Sequence, residues 1–361
     1  MSAGLAPELA RPAVRVGRLE ALGRRPVGLF ALGLFVLLVA IALGLAFGTV
    51  SIPLDQTLGI LGHRFLGWPV AVTWPASTET IVLELRLPRV LTAATVGTGL
   101  AVAGVVLQGL LRNPLADPYV LGTASGAALG AAIAILFPFQ IAILGLGLVH
   151  VFAFMGALLA VWLVYRLAGG SSSGSLTSVL LTGYAVGSLL AAGLAMAMYL
   201  SGSNLRQIFF YLLGSFATAT WEHLFFALPI VVISVALIIA RARSLNALLL
   251  GEETALHLGL DVRRERRILL ALASLVTAAS VALAGLVGFV GLVVPHVVRL
   301  VVGPNARAVL PLAAIFGASF LILADLVARI PGELPVGVIT AIVGAPFFLS
   351  LLRRFRSGYE V

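Results

Sequence analysis

A few short stretches of this 361-residue chain hold nearly all the residue types that could do chemistry. Asp325 is the clearest acid inside an apolar run, and Arg329 follows four residues later. An acid N-terminal to a base at that spacing is the favourable helical ion-pair order, which predicts a paired role rather than proton carriage. His296 follows Pro295, with Arg299 one turn on, and His150 stands alone within a span. Neither has a second histidine, cysteine or carboxylate at ligand spacing, so packing or hydrogen bonding is expected of both and no metal site is expected. Gly251, Glu252, Glu253, Ala255, Leu256, Leu258 and Gly259 make a short amphipathic stretch ahead of Arg263, Arg264, Arg266 and Arg267. Apolar anchors ringed by charge suit a helix that docks into a groove on another chain, and a solvated charged loop is the plainer alternative. Residues 112–118, RNPLADP, place a polar turn with two prolines between two apolar runs. Proline ends helices there, and Asn113 and Asp117 can cap the exposed backbone. Arg86, Arg89 and Arg329 each fall at the end of a span, where interfacial snorkelling is the simplest explanation.

No soluble segment is large enough to house an active site and the five histidines are scattered, so no catalytic residue and no cofactor is expected. Cysteine is absent, which removes disulfides and thiolate sites. Lysine is absent too, and with it any phosphate-binding loop of the Walker A type. If ATP drives this protein, another chain hydrolyses it.

The elements that must position these groups are membrane helices. Hydrophobic residues make up 61% of the chain and charged residues 10%, with mean hydropathy +1.13, against about half and a quarter in soluble domains. Apolar runs near 27–52, 90–111, 119–136, 140–165, 177–200, 221–240, 268–286, 289–302, 308–328 and 334–352 predict an all-α integral membrane protein of about ten transmembrane helices. The run at 289–302 is short and is expected to be buried partly by protein. Alternating from a cytoplasmic N-terminus leaves Arg64, Arg86, Arg89, Arg206 and Arg329 outside and every other arginine inside. That bias predicts both termini in the cytoplasm and explains the net charge of +9 without nucleic acid. Residues 1–26 read as a cytoplasmic tail, and 27–361 as one membrane domain with a cytoplasmic segment at 244–267. Residues 53–85 read as an outside segment, and 171–175 as a short inside connection. Gly122, Gly126 and Gly130 fall four apart, as do Gly97 and Ala101, a spacing that lets helix backbones approach closely.

Three blocks carry a family resemblance. They are RLPRVLTAATVGTGLAVAGVVLQGLLRNPLADPYVLGTASGA from Arg86, the LGEETALHLGLDVRRERR segment at 250–267, and the C-terminal GLVGFVGLVVPHVVR, ADLVAR and LPVGVITAIVGAPF. In register from about residue 80 to the C-terminus, they resemble the permeases of ATP-driven importers for iron chelates, haem and cobalamin, the type II ABC importers. The resemblance implies a homodimer with the path at its axis and two copies of a cytoplasmic ATP-binding subunit on the coupling segment. It also implies a substrate-binding protein that places acidic residues on Arg86, Arg89 and Arg329. Cytoplasmic closure is implied at Asn113, Pro114 and Leu115, and at Leu176 and Thr177. The cargo implied first is a ferric siderophore, with haem or cobalamin as alternatives. An ion-coupled secondary transporter is the rival class; it calls for intramembrane acids or repeated broken helices, and neither is evident in the sequence.

Overall fold

The structure is a computed structural model that describes residues 26–69, 72–137, 142–143, 146–168 and 176–356. The N-terminal tail before Pro26 and the serine run at 171–175 lie outside the described residues. Helices dominate: α1 Pro26–Ala46, α2 Leu54–Leu66, α3 Ala76–Leu110, α4 Thr123–Leu136, α5 Leu148–Leu167, α6 Leu176–Leu200 and α7 Leu205–Leu213. The second half holds α8 Trp221–Ala240, α9 Ala242–Leu250, α10 Glu252–His257, α11 Val262–Ala284, α12 Val290–Val302, α13 Ala306–Arg329 and α14 Val336–Arg356. Among the described residues, 7 helices are long and apolar enough to cross a membrane, and α4, α12 and α14 are shorter apolar helices. Together they account for the ten runs expected. A two-residue antiparallel ladder, Ala142–Ile143 with Leu146–Gly147, precedes α5.

Helix α3 is the axis of the bundle. It packs against α8, α11, α12 and α13, and most of its length is buried. The sequence expects a span only from residue 90, because Glu79, Glu84, Arg86 and Arg89 interrupt the apolar run. The helix starts instead at Ala76 and passes through a π-helical turn at Ile81–Arg86. Its buried charges, Arg86 and Arg89, are tolerated because the bundle supplies partners for them, as shown below, and Glu84 is exposed.

Close backbone approach holds the bundle together. Gly97 of α3 lies against the carbonyl of Gly317 on α13, with Ala101 beside it, and Gly104 meets Gly291 at the start of α12. Gly126 of α4 abuts Gly156 of α5, and Gly130 abuts Phe152. A Cβ at any of these positions would overlap backbone, which cannot swing aside as a side chain can. Gly122 does not share the α4 face as its spacing suggests. It sits before the helix at φ +76 and closes a 3-10 turn at Pro118–Leu121. We expect Gly126→Leu to separate α4 from α5 and to cost about 1–3 kcal/mol or more. A thermal melt of the purified permease in detergent should show it as a clear loss against Gly28→Leu, a glycine with open space around its Cβ.

Not every helix crosses the bundle. The C-terminus of α7 is stitched to the ends of α11 and α14: Ser215 N–H donates to Ala284 O at 2.8 Å and Val336 N–H to Gly214 O at 3.0 Å. Gly285 to Phe289 then runs without helix, and Phe289 takes φ +69 before α12 begins. Val290–Pro295 and Val298 are buried, so α12 is covered largely by protein, as its length suggests. Non-helical backbone inside an apolar bundle survives only where protein satisfies it. Tyr119 does so here: its hydroxyl donates to Val287 O at 2.9 Å and accepts from Val287 N–H at 3.1 Å.

Candidate functional site

The charged residues collect at the two ends of the bundle. One end, the basic end, carries the RNPLADP turn, α9, α10 and the first turns of α11. The opposite end carries the segments around 47–69, 72–75, 142–143, 146–147, 201–220 and 330–335.

At the opposite end, Arg86, Arg89 and Arg329 line one cavity of about 480 Å3, together with Thr49, Ala219 and Glu333. Arg86 finishes the preceding helix. Its guanidinium donates to Leu45 O at 2.7 Å and Ala46 O at 2.8 Å, at the C-terminal end of α1, and to Val50 O just beyond it. Arg89 clasps Asp325, with Nη2 at 2.8 Å and Nε at 3.0 Å from its two oxygens, and reaches Glu333 at 2.8 Å. Arg329 Nε approaches Asp325 at 3.1 Å, the i,i+4 pair that the sequence anticipates. The second claim on Asp325, from Arg89, is not visible in the sequence. Arginine suits both tasks because its fork carries several donors in one plane. The sequence reads these three arginines as an exposed rim, and the structure recesses them: Arg329 is only 3% exposed and Arg89 only 9%. The cause is local. The carbonyls ending α1 and the Asp325 carboxylate draw the guanidiniums inward. Three cations face two carboxylates, and Arg329 Nη2 is buried without a hydrogen-bond partner.

At the basic end, Gly251 at φ +126 opens α10, and Gly259 at φ +77 closes it. The closure has the Schellman pattern, with Leu260 N–H on Ala255 O at 3.0 Å and Gly259 N–H on Leu256 O at 2.9 Å. Glu252 pairs with Arg266, tying the first turn of α10 to α11, and Arg241 pairs with Glu265 at 3.5 Å. The three apolar anchors do not share a face. Ala255 is fully buried against the permease, whereas Leu256 is 59% and Leu258 66% exposed. The sequence leaves Arg263–Arg267 in a loop; α11 starts at Val262, capped by Asp261, whose carboxylate accepts from Arg264 N–H at 3.0 Å.

The RNPLADP turn is held by its own polar groups. Asn113 Oδ1 accepts from Leu115 N–H at 2.9 Å, and Asp117 Oδ1 from Tyr119 N–H at 2.8 Å. Burial pushes the Asp117 carboxyl up to about 6, and the bond from Tyr119 opposes that rise. Arg112, at φ +48, donates to Leu248 O at 3.2 Å and so links the turn to α9. Asn113 is exposed, and Pro114 and Leu115 are half-buried. Leu176 and Thr177 begin α6, but their side chains lie outside the described residues. Asn246 and Asn305 complete this end: Asn246 Nδ2 donates to Asn305 Oδ1 at 2.8 Å, and Asn246 Oδ1 accepts from Ala306 N–H at 2.7 Å.

An all-helical bundle of this kind, with a recessed cationic cavity at one end and a short exposed helix at the other, belongs to the class of membrane permeases. The comparisons narrow the class. The model of the FecCD transport family matches residues 36–354, and the chain belongs to that family. It is 48% identical to the cobalamin import system permease protein of Halobacterium salinarum over 79% of this chain and 76% of that protein. It is 40% identical to the hemin transport system permease protein of Yersinia pestis over 90% of this chain and 95% of that protein. A solved inward-facing structure described as a metal-chelate type ABC transporter superposes with TM-score 0.78 at 32% identity, covering 91% of this chain and 99% of that one. The chain is therefore a permease subunit of an ABC importer for iron chelates, haem, cobalamin or similar cargo, a transport component rather than an enzyme.

Proposed function

We propose that this chain is the membrane conduit for a ferric siderophore, working as a homodimer with two copies of a separate ATP-binding subunit and an extracytoplasmic substrate-binding protein. The observation that carries the architecture is the division of labour between the two ends. The basic end faces the cytoplasm, with both termini, and α10 presents Leu256 and Leu258 to an ATPase groove. The opposite end faces outward, and its cavity receives an acidic side chain of the binding protein. Arg86, Arg89 and Arg329 supply a local excess of positive charge there, and Arg329 has a donor to spare. Because the arginines are recessed, the acid must reach into the cavity, which fixes orientation as well as speeding encounter. The exposed apolar faces of α6 and α14, which include Tyr184, Leu189, Tyr199, Ile342 and Leu349, supply the dimer contact and the wall of the path. Asn113, Pro114 and Leu115, with Leu176 and Thr177, close the path at the cytoplasmic side.

Relatives named for iron(III) citrate import support the ferric chelate, among them a Bacillus subtilis permease 34% identical over 91% of this chain. Cobalamin is the second reading, favoured by the 48% identity to the halobacterial protein. The test is uptake into proteoliposomes holding the permease with an ATP-binding subunit and a substrate-binding protein from the same organism. We expect ATP-dependent entry of radiolabelled ferric siderophore and no entry driven by a proton or sodium gradient through the permease alone. Entry of labelled cobalamin in place of the siderophore selects the second reading, and gradient-driven entry without ATPase overturns the importer reading.

A further inference from the structure

His150 looks solitary in the sequence, and His223 lies 73 positions away, a separation at which no ligand motif can be read. The fold brings the two together. His150 is in the first turn of α5 and His223 in the first turn of α8, both at the end opposite the basic end. Their ring centroids are 4.0 Å apart with the planes tilted by 36°. His150 lines a cavity of about 330 Å3 together with Gln207, Tyr211, Ser215 and Thr218, and the His223 ring packs on it.

The backbone sets the tautomer of the His223 ring. His223 Nδ1 stands 3.2 Å from the carbonyl oxygen of Thr218. A carbonyl only accepts, so Nδ1 carries the proton and Nε2 keeps its lone pair. His150 Nδ1, by contrast, is buried without a hydrogen-bond partner. A histidine whose far nitrogen is tethered to a carbonyl has the arrangement that metal-ligating histidines use to fix tautomer and ring direction. The rings pack face to face, so one ion bound at about 2.0–2.1 Å from a nitrogen of each requires at least one ring to rotate about its Cβ–Cγ bond.

We infer that His150 and His223 form a two-histidine site for an imidazole-accepting transition-metal centre at the outer mouth of the permease. Among the described residues no third histidine, cysteine or carboxylate completes a ligand set. That is itself informative. A structural site closes its coordination sphere with protein ligands, whereas two ligands leave positions for water, for the hydroxyls and amide of the cavity, or for a chelator already on the metal. Such a site exchanges its metal, as a conduit requires. The inference does not depend on the importer reading, because binding is measured without transport.

The metal centre has two possible sources, a free divalent ion or the iron of a chelate, and the test separates them. The full-length permease is purified in detergent on a tag without histidine and dialysed against Ni2+ alone. In parallel it is titrated with hemin, and the Soret band is followed. Wild type is compared with His150→Gln, His223→Gln and the double variant, whose melting temperatures are recorded, and with His257→Gln at the other end. We expect about one exchangeable Ni2+ per chain, with affinity reduced at least ~10-fold in each single variant and unchanged in His257→Gln, since each lost ligand is worth a large part of two-point binding. A Soret shift that the same substitutions abolish assigns the site to chelated metal as well; Ni2+ binding without that shift assigns it to free ions. Equal binding of both probes by wild type and the double variant, or binding of neither by wild type, overturns the site.

Discussion

Leu256→Asp and Leu258→Asp should each release the permease from its ATPase while leaving the permease folded. Both side chains project from α10 into solvent, so neither substitution empties a core position. In the isolated permease the new carboxylate stays hydrated and costs little. In an apolar groove it must lose that water without a partner, at a cost of roughly several kcal/mol, which is enough to lower affinity by a factor of a hundred or more. The measurement is co-purification of the ATPase with tagged permease, alongside ATP hydrolysis in the reconstituted complex. The melting temperature of the permease alone should not move. Ala255→Asp makes the contrast, because Ala255 is fully buried between α10 and the bundle. That change should lower the melting temperature and loosen the whole segment. If both leucine variants retain the ATPase with normal hydrolysis, α10 is not the docking element.

The contrast between Leu256 and Ala255 also shows where sequence reading stops. A six-residue helix is too short for periodicity to say which face it turns inward, so the residue types are legible there and the orientation is not. The spans were legible because a bilayer demands long apolar runs and because arginine is distributed unevenly around them. The early start of α3 was not legible. Glu84, Arg86 and Arg89 read as a break in a hydropathy window, yet Arg86 spends its donors on carbonyls of α1, and Arg89 spends its own on Asp325 and Glu333. Local pairs could be foreseen: Asp325 and Arg329 lie one helical turn apart, and Gly126 marks a close approach without naming Gly156 as its partner. Pairings over long sequence distance, Arg89 with Asp325 and His150 with His223, depend on which helices become neighbours. A single sequence does not encode that in any short pattern. The break at 285–289 was legible as the gap between the runs at 268–286 and 289–302, but the way its backbone is satisfied was not. Apolar side chains fill it, and only the hydroxyl of Tyr119 shows how its backbone is satisfied.

Asp325→Asn should be the most destabilising single substitution at the outer end, and it should be rescued by removing a cation. Asp325 is 1% exposed and holds two guanidiniums at once. Asparagine is nearly isosteric, but it is neutral and turns an N–H2 group toward donors that need an acceptor. Arg89 would retain Glu333, on the more exposed side of the cluster, and Arg329 would retain no carboxylate among the described residues. Breaking a buried ion pair by removing one partner costs about 3–5 kcal/mol, because the remaining charge is left uncompensated in a low-dielectric site. The purified permease should therefore melt at a markedly lower temperature. Adding Arg329→Gln to Asp325→Asn removes the stranded cation and should return part of the loss, so the double variant should be more stable than the sum of the two single changes predicts. Arg86→Gln should behave differently: it loses bonds to neutral carbonyls rather than an ion pair, so its rescue of Asp325→Asn should be smaller than that of Arg329→Gln. Strict additivity of Asp325→Asn with Arg329→Gln would mean that the two residues are neighbours without being coupled. In that case Arg329 would be held by the cavity wall, and its unpartnered nitrogen could not owe its position to Asp325.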